Sequence, residues 1–205
     1  MADAPILAID PDHPQPRLIE RAVAALEAGG VIAYPTDTYY AIGCDLSNKK
    51  AIEKLYRLKQ RAANKPLSFL CADLSDISRY AKVSNQAYRI MRRLVPGPYT
   101  FVLPATRLTP EIAMTRQKTV GIRVPHAAIP LALVERLGRP LLTTSATFEG
   151  EALDDPREIK ARLGHGLELI IDGGYQLDEP STVLSLLDDR VEVLRVGKGK
   201  VEGLE

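Results

Sequence analysis

The sequence predicts a single α/β domain built on a mixed sheet. Helix-period segments alternate with short β-branched runs along most of the chain, and the closing segments are strands with no helix between them. At 205 residues the chain supports one substantial core better than two. Alternation implies a sheet layered with helices, and the consecutive final strands make that sheet mixed rather than purely parallel. Hydrophobic residues form 45% and charged residues 26% of the chain, the balance of a protein that folds on its own. No repeat or linker divides it, so one domain covers residues 1–205, with a motif-bearing core at about 16–199.

Residues 17–28 carry Leu18, Val23 and Leu26 at roughly helical spacing. Gly29-Gly30 then stop the helix before the buried strand Val31-Ile32-Ala33-Tyr34. The alternation continues with a helix over 48–58, a strand over 67–71, a helix over 85–94 and a strand over 100–103. A strand over 120–124, a helix over 129–137, a strand over 140–144 and a helix over 156–163 follow. Strands over 167–171, 181–186 and 191–196 close the chain, with Gly173-Gly174 and Asp188-Asp189 as turns between them.

Several function classes are disfavoured. The apolar runs are far too short to cross a bilayer, and the N-terminal segment MADAPILAIDPDHP lacks the features of a secretory signal. Cys44 and Cys71 have no metal-like spacing, so a reducing cytoplasm and no membrane partner are expected. The chain has no Walker loop, G-x-G-x-x-G, H-E-x-x-H or G-x-S-x-G motif. His13, His126 and His165 are scattered beside turn residues and receive no catalytic role.

Charge is concentrated in one place. Residues 49–65 hold seven cations against one acid, Glu53, in a chain of 27 basic and 26 acidic residues, which points to an anionic ligand. Lys50, Lys54, Arg57 and Arg61 form a narrow helical stripe that reads as a solvated face, opposite Ile52, Leu55 and Tyr56. Lys59 falls on the apolar arc, so either the helix ends before it or its ammonium has a partner; a lone lysine commonly snorkels to water. With Arg61 and Lys65 it would also suit a phosphate site.

Hydroxyls gather at strand ends. Pro35-Thr36-Asp37-Thr38 follows a strand, where two readings fit: a hydrogen-bonded turn, or hydroxyls holding a polar small molecule. Thr143-Thr144-Ser145-Ala146-Thr147 is equally rich in hydroxyls, although β propensity alone accounts for strand threonines. Arg123 and Arg195 each stand near a strand end, where an isolated arginine is usually a surface residue.

These pieces, with Lys65-Pro66-Leu67, Pro96-Gly97-Pro98-Tyr99-Thr100, Gly121-Ile122-Arg123-Val124-Pro125, Pro180-Ser181-Thr182-Val183 and Arg195-Val196-Gly197, resemble in order the YrdC-like family. Its members include the threonylcarbamoyl-adenylate synthases of transfer-RNA modification, and Tyr40-Ala41, residues 68–75 and Asp172-Gly173-Gly174 look most like its YciO branch. The resemblance implies a twisted mixed sheet flanked by helices around an open basic concavity. It implies a nucleotidyltransferase that joins L-threonine, bicarbonate and ATP into threonylcarbamoyl-adenylate and pyrophosphate, with Mg²⁺ carried by ATP. By the family motifs, Lys59, Arg61, Ser145 and Arg195 contact ATP, while Thr36, Thr38, Tyr40, Lys65, Arg123, Thr143 and Ser181 form the threonine pocket. Other transfer-RNA-modification proteins are implied as partners. The synthase pattern Ser-x-Asn is here Ser145-Ala146-Thr147, a change expected to weaken a nucleotide contact by about 1–3 kcal/mol. A protein that binds transfer RNA or double-stranded RNA without making an adenylate is the alternative.

Overall fold

Capped amphipathic segments and short apolar strands alternate in the computed structural model, which describes residues 4–59, 67–176 and 179–204. In chain order the elements are β1 (Ile6–Ala8), α1 (Pro16–Glu27), β2 (Ile32–Tyr34), β3 (Ala41–Asp45), α2 (Lys49–Leu58), β4 (Ser68–Leu70), α3 (Leu74–Tyr80), α4 (Asn85–Leu94) and β5 (Tyr99–Pro104). Then come β6 (Thr119–Arg123), α5 (Ala128–Leu137), β7 (Leu141–Ser145), β8 (Thr147–Phe148), β9 (Glu151–Ala152), α6 (Pro156–Leu163), β10 (Leu169–Asp172), β11 (Thr182–Ser185) and β12 (Glu192–Arg195).

Local chemistry sets the helix boundaries. Asn48 Oδ1 accepts the Ala51 N–H at 3.1 Å, Ser84 Oγ that of Ala87 at 3.1 Å, and Asp155 Oδ1 that of Arg157 at 2.7 Å. Each cap contributes about 1 kcal/mol. Helix α2 buries Ala51, Ile52, Leu55 and Tyr56 and leaves Lys49, Lys50, Lys54 and Arg57 exposed, so the charged stripe is a solvated face. Both outcomes considered for Lys59 occur together. The helix ends at this residue, which forms its C-cap, and the ammonium has partners.

The strands pair in the order β1-β10-β2-β3-β7-β4-β6-β5-β11-β12. Four pairs are parallel (β1 with β10, β10 with β2, β4 with β6, β5 with β11) and the others antiparallel, so the sheet is mixed. Asp188 and Asp189 adopt left-handed φ of 53° and 54° in the turn before β12, and the Arg190 N–H closes it on Leu187 O at 3.0 Å. Strands β1 and β3, helix α3 and the β8–β9 hairpin were not expected from the sequence. Ile6–Ala8 is too short for a period to show, and Gly43 interrupts β3 where β-formers would mark a strand.

The two faces of the sheet are covered differently. Helices α2, α3, α4 and α6 pack on one face against Ile42, Phe69, Phe101, Ile122 and Leu142. On the other face α1 and α5 bring Ile19, Val23, Leu26, Leu133 and Leu137 onto Ala41, Leu70 and Leu141. Burying each large aliphatic side chain contributes about 1.5–3 kcal/mol, so these helices are firmly held. The same face carries the candidate site farther along the strands.

Candidate functional site

A cleft of about 550 Å³ opens on the face shared with α1 and α5, and strand alternation determines its lining. Ser68 and Leu70 of β4, Thr100 and Val102 of β5, Thr119, Gly121 and Arg123 of β6, and Thr143 and Ser145 of β7 all line it. Apart from Thr144 of β7, which also borders the cleft, each set is spaced by two residues, as one face of a pleated strand requires. The intervening Phe69, Phe101, Val120, Ile122 and Leu142 point into the opposite core. Gly121 forms part of the floor: a Cβ there would lie 3.2 Å from Ser68 Oγ and 3.4 Å from Thr100 Cγ2.

The loop after β2 supplies one wall. Thr36 Oγ1 donates to Tyr39 O at 2.6 Å and accepts from the Thr38 N–H at 3.1 Å. With its one hydrogen committed, it also accepts from Thr38 Oγ1 at 3.1 Å. Thr36 is therefore saturated, and Thr38 faces the cleft with acceptor lone pairs. Thr143 behaves alike: it donates to Ile42 O at 3.3 Å and accepts from the Tyr34 hydroxyl at 2.7 Å. Burial pushes the Tyr34 phenol far up, against the pull of the Thr143 bond, so this hydroxyl stays protonated. Gln176 clasps the loop from outside, donating to Thr36 O at 2.6 Å and accepting the Thr36 N–H at 3.3 Å.

Two guanidiniums supply positive charge. Arg123 Nη2 pairs with Asp37 Oδ1, and Asp37 Oδ2 accepts the His126 N–H at 2.9 Å. The side chains are only 12% and 9% exposed, so this is a buried ion pair. Burial draws the Arg123 pKa below its ordinary value, against the upward pull of Asp37. Its Nε, among the described residues, is a buried donor without a hydrogen-bond partner. Lys198 Nζ reaches the same corner, donating to Asp37 O at 2.7 Å. Arg195 is braced on Ser181, donating to its carbonyl through Nη2 at 2.8 Å and Nε at 3.1 Å and to its hydroxyl at 3.1 Å. Ser181 Oγ is in turn 2.9 Å from Thr100 Oγ1.

Lys59 reaches the β7–β8 edge of the cleft from α2. Its ammonium donates to Ser145 O at 3.3 Å, Thr147 O at 2.7 Å and Thr147 Oγ1 at 2.5 Å. The cleft thus offers acceptors at Thr38 and Thr143 and cationic donors at Arg123 and Arg195. That polarity suits a ligand carrying both N–H and anionic groups.

A family profile described as telomere recombination, covering Sua5, YciO and YrdC, matches residues 24–197. The chain belongs to the YrdC-like family. It is 44% identical to YciO of Escherichia coli over 95% of this chain and 96% of that one. The crystal structure of E. coli YciO superposes with a TM-score of 0.92 at 43% identity, covering 97% of this chain and 98% of the other. A threonylcarbamoyl-AMP synthase of Vibrio vulnificus is 31% identical over 86% of this chain and 96% of its own. P. abyssi Sua5 complexed with L-threonine gives a TM-score of 0.88 at 28% identity, covering 95% of this chain and 58% of that one.

Of the residues that the YrdC-like resemblance named, Thr36, Thr38, Arg123, Thr143, Ser145, Ser181 and Arg195 line this one cleft. Tyr40 requires a correction. Its ring is fully buried in the core, and its hydroxyl donates to Gly174 O at 2.6 Å and accepts the Gly173 N–H at 3.1 Å. It braces the segment after β10 and does not line the cleft, and burial pushes its phenol up to about 12. Arg61 and Lys65 lie outside the described residues. Asp37, read from sequence as a possible turn residue, proves to be the partner of Arg123. Ser68, Thr100, Thr119 and Gly121 were also missed, although their period-two placement was available to find them.

Proposed function

We propose that the chain is an L-threonylcarbamoyl-adenylate synthase. The amine of L-threonine attacks the carbon of bicarbonate and water leaves, giving a carbamate. A carbamate oxygen then attacks the α-phosphorus of ATP, the bond from that phosphorus to the bridging oxygen breaks, and pyrophosphate departs. Other proteins transfer the threonylcarbamoyl group to adenosine 37 of transfer RNA.

The observation that carries this reading is the convergence on one hydroxyl-lined cleft of two guanidiniums, Arg123 and Arg195, with the acceptor hydroxyls of Thr38 and Thr143. A substrate carboxylate would pair with the Arg123 guanidinium, whose side chain lines the cleft with 12% of its surface exposed. Thr38 and Thr143, as acceptors, suit the substrate N–H. Ser145, Arg195 and Lys59 serve the nucleotide, with Mg²⁺ arriving on ATP. The similarity to threonylcarbamoyl-AMP synthases, 35% for the Mus musculus protein over 88% of this chain and 64% of that one, supports the same reading. Chemistry of this kind rests on positioning and on cations placed where phosphate charge develops. Pyrophosphate release from ATP should require both L-threonine and bicarbonate; release independent of either would refute the assignment.

A second reading has its own observation. Lys54, Arg57 and His165 line a separate groove of about 770 Å³, continuous with the exposed stripe of α2. Phosphate-backbone recognition of transfer RNA or double-stranded RNA would use such a surface. A Lys54→Glu, Arg57→Glu double variant with unchanged RNA affinity at low salt would remove this alternative.

A further inference from the structure

The main chain of Thr36 is held by a side chain 140 positions away. Gln176 Nε2 donates to Thr36 O at 2.6 Å, and Gln176 Oε1 accepts the Thr36 N–H at 3.3 Å, so one planar carboxamide meets both polar groups of a single backbone residue. A carbonyl cannot donate and an N–H cannot accept, so these partners fix which way round the amide lies. Thr36 stands in the loop after β2, where no strand or helix partner supplies such bonds. Gln176 is itself anchored. Its own N–H donates to Asp154 O, just beyond β9, at 3.1 Å, and Tyr40 braces the preceding Gly173 and Gly174. Gly174 turns the segment at a left-handed φ of 95°, with its N–H on Asp172 Oδ1 at 2.9 Å. Inside the loop, Thr36 Oγ1 takes the Thr38 N–H and Thr38 Oγ1 as donors, so the direction of the Thr38 hydroxyl follows from the placement of Thr36.

We infer that Gln176 is a positioning residue for the amino-acid end of the cleft: by holding both main-chain groups of Thr36, it keeps Thr38 Oγ1 aimed as an acceptor for the substrate N–H. The inference rests on the threonine-binding part of the proposed function. Gln176 does not line the cleft and acts only through Thr36 and Thr38, which do. Without the carboxamide, the Thr36 N–H and C=O would turn to water, the loop would sample other conformations, and each ligand would bind only the fraction still ordered. A pre-set loop removes that cost before the ligand arrives.

Three measurements on the full chain test this. Gln176→Met keeps the length of the side chain and removes both bonds; exchange of the Thr36 amide hydrogen in the unliganded protein, followed by NMR, should quicken at least about tenfold. By calorimetric titration its L-threonine affinity should fall about tenfold, while Mg·ATP affinity stays within about threefold, because the nucleotide is assigned to the Lys59 and Ser145 edge. Gln176→Glu keeps the acceptor for the Thr36 N–H but sets a second acceptor against Thr36 O, and protonation restores the donor. A carboxylate facing a carbonyl oxygen titrates above its usual value of about 4.3, so the L-threonine affinity of this variant relative to wild type should recover several-fold between about pH 7.5 and about pH 5. The ratio for Gln176→Met should stay flat. Asp172, bonded to Gly174, and Asp154, bonded to Tyr175, are present in every protein compared and cancel in the ratio. Unchanged Thr36 exchange, equal losses of L-threonine and Mg·ATP affinity, or a Gln176→Glu ratio independent of pH would each overturn the inference. If Gln176→Met fails to fold, Gln176→Ala is measured against the same criteria. Wild-type protein that binds no L-threonine, with Thr36 exchange still quickened by Gln176→Met, would sink the synthase reading alone. Threonine-dependent turnover with undiminished L-threonine affinity in Gln176→Met would sink this inference alone.

Discussion

Asp37→Asn tests how the site holds its buried charge. The carboxylate pairs with Arg123 Nη2 through one oxygen and accepts the His126 N–H through the other, with side-chain exposures of 9% for Asp37 and 12% for Arg123. Removing one partner of a buried ion pair strands the other charge, a loss of about 3–5 kcal/mol when nothing replaces it. Asparagine retains one carbonyl oxygen and the side-chain shape, so the expected loss is at the lower end, about 3 kcal/mol. In a chain of this length each kcal/mol lowers the melting midpoint by about 2–4 °C, giving a drop of about 6–12 °C by calorimetry. A second arm makes the cause specific. Adding Arg123→Met to Asp37→Asn removes the stranded charge and should recover part of the lost stability. A midpoint shift under about 2 °C for Asp37→Asn, or a double variant less stable than the single one, would refute the reasoning.

Other perturbations probe separate parts of the structure. Gly121→Val places branched carbon on the cleft floor, where a Cβ already approaches Ser68 Oγ at 3.2 Å; it should lower L-threonine affinity at least about tenfold by calorimetry. Tyr40→Phe removes the bonds to Gly173 and Gly174 and should destabilise the fold by about 1–2 kcal/mol in urea titration. Its effect on L-threonine affinity should be smaller than that of Arg123→Met, since Tyr40 is not a cleft residue. The buried Asp45 carboxyl is raised by burial, but its bonds to Arg139 and Ser47 together outweigh this and hold it below the usual carboxylate range. A depressed folded pKa stabilises the fold above the unfolded value of about 3.9 and ceases to do so as pH falls through the folded value. Asp45→Asn should therefore be less stable at neutral pH and show a shallower stability loss on acidification below about pH 4, measured by urea titration across pH.

Much of the fold could be read from local pattern because its signals are local. Asn85–Leu94 and Pro156–Leu163 match their expected spans, since a cap opens each and an apolar stripe runs through each. Strand β3 was hidden because burial on both faces removes alternation, and its burial pattern is continuous. The cleft was partly visible through family motifs, but its physical logic lies in tertiary placement. Leu70 and Leu141 lie beneath α1 and α5, whereas Ser68, Thr143 and Ser145 occupy the same face beyond that cover. The switch from aliphatic to hydroxyl residues at alternate strand positions therefore marks where the helices stop. Asp37 could not be matched to Arg123 from sequence because 86 positions separate them and the sheet order joins them.

The proposed reaction in this cleft joins L-threonine, bicarbonate and the adenylate of ATP. The purified chain, incubated with L-threonine, Mg·ATP and carbon-13 bicarbonate, should yield threonylcarbamoyl-adenylate heavier by the one labelled carbon when resolved by mass spectrometry. That product should disappear when L-threonine is omitted and fall sharply in an Arg123→Met variant. ATP cleavage to AMP and pyrophosphate with no labelled adenylate, or no ATP cleavage at all, would contradict the account.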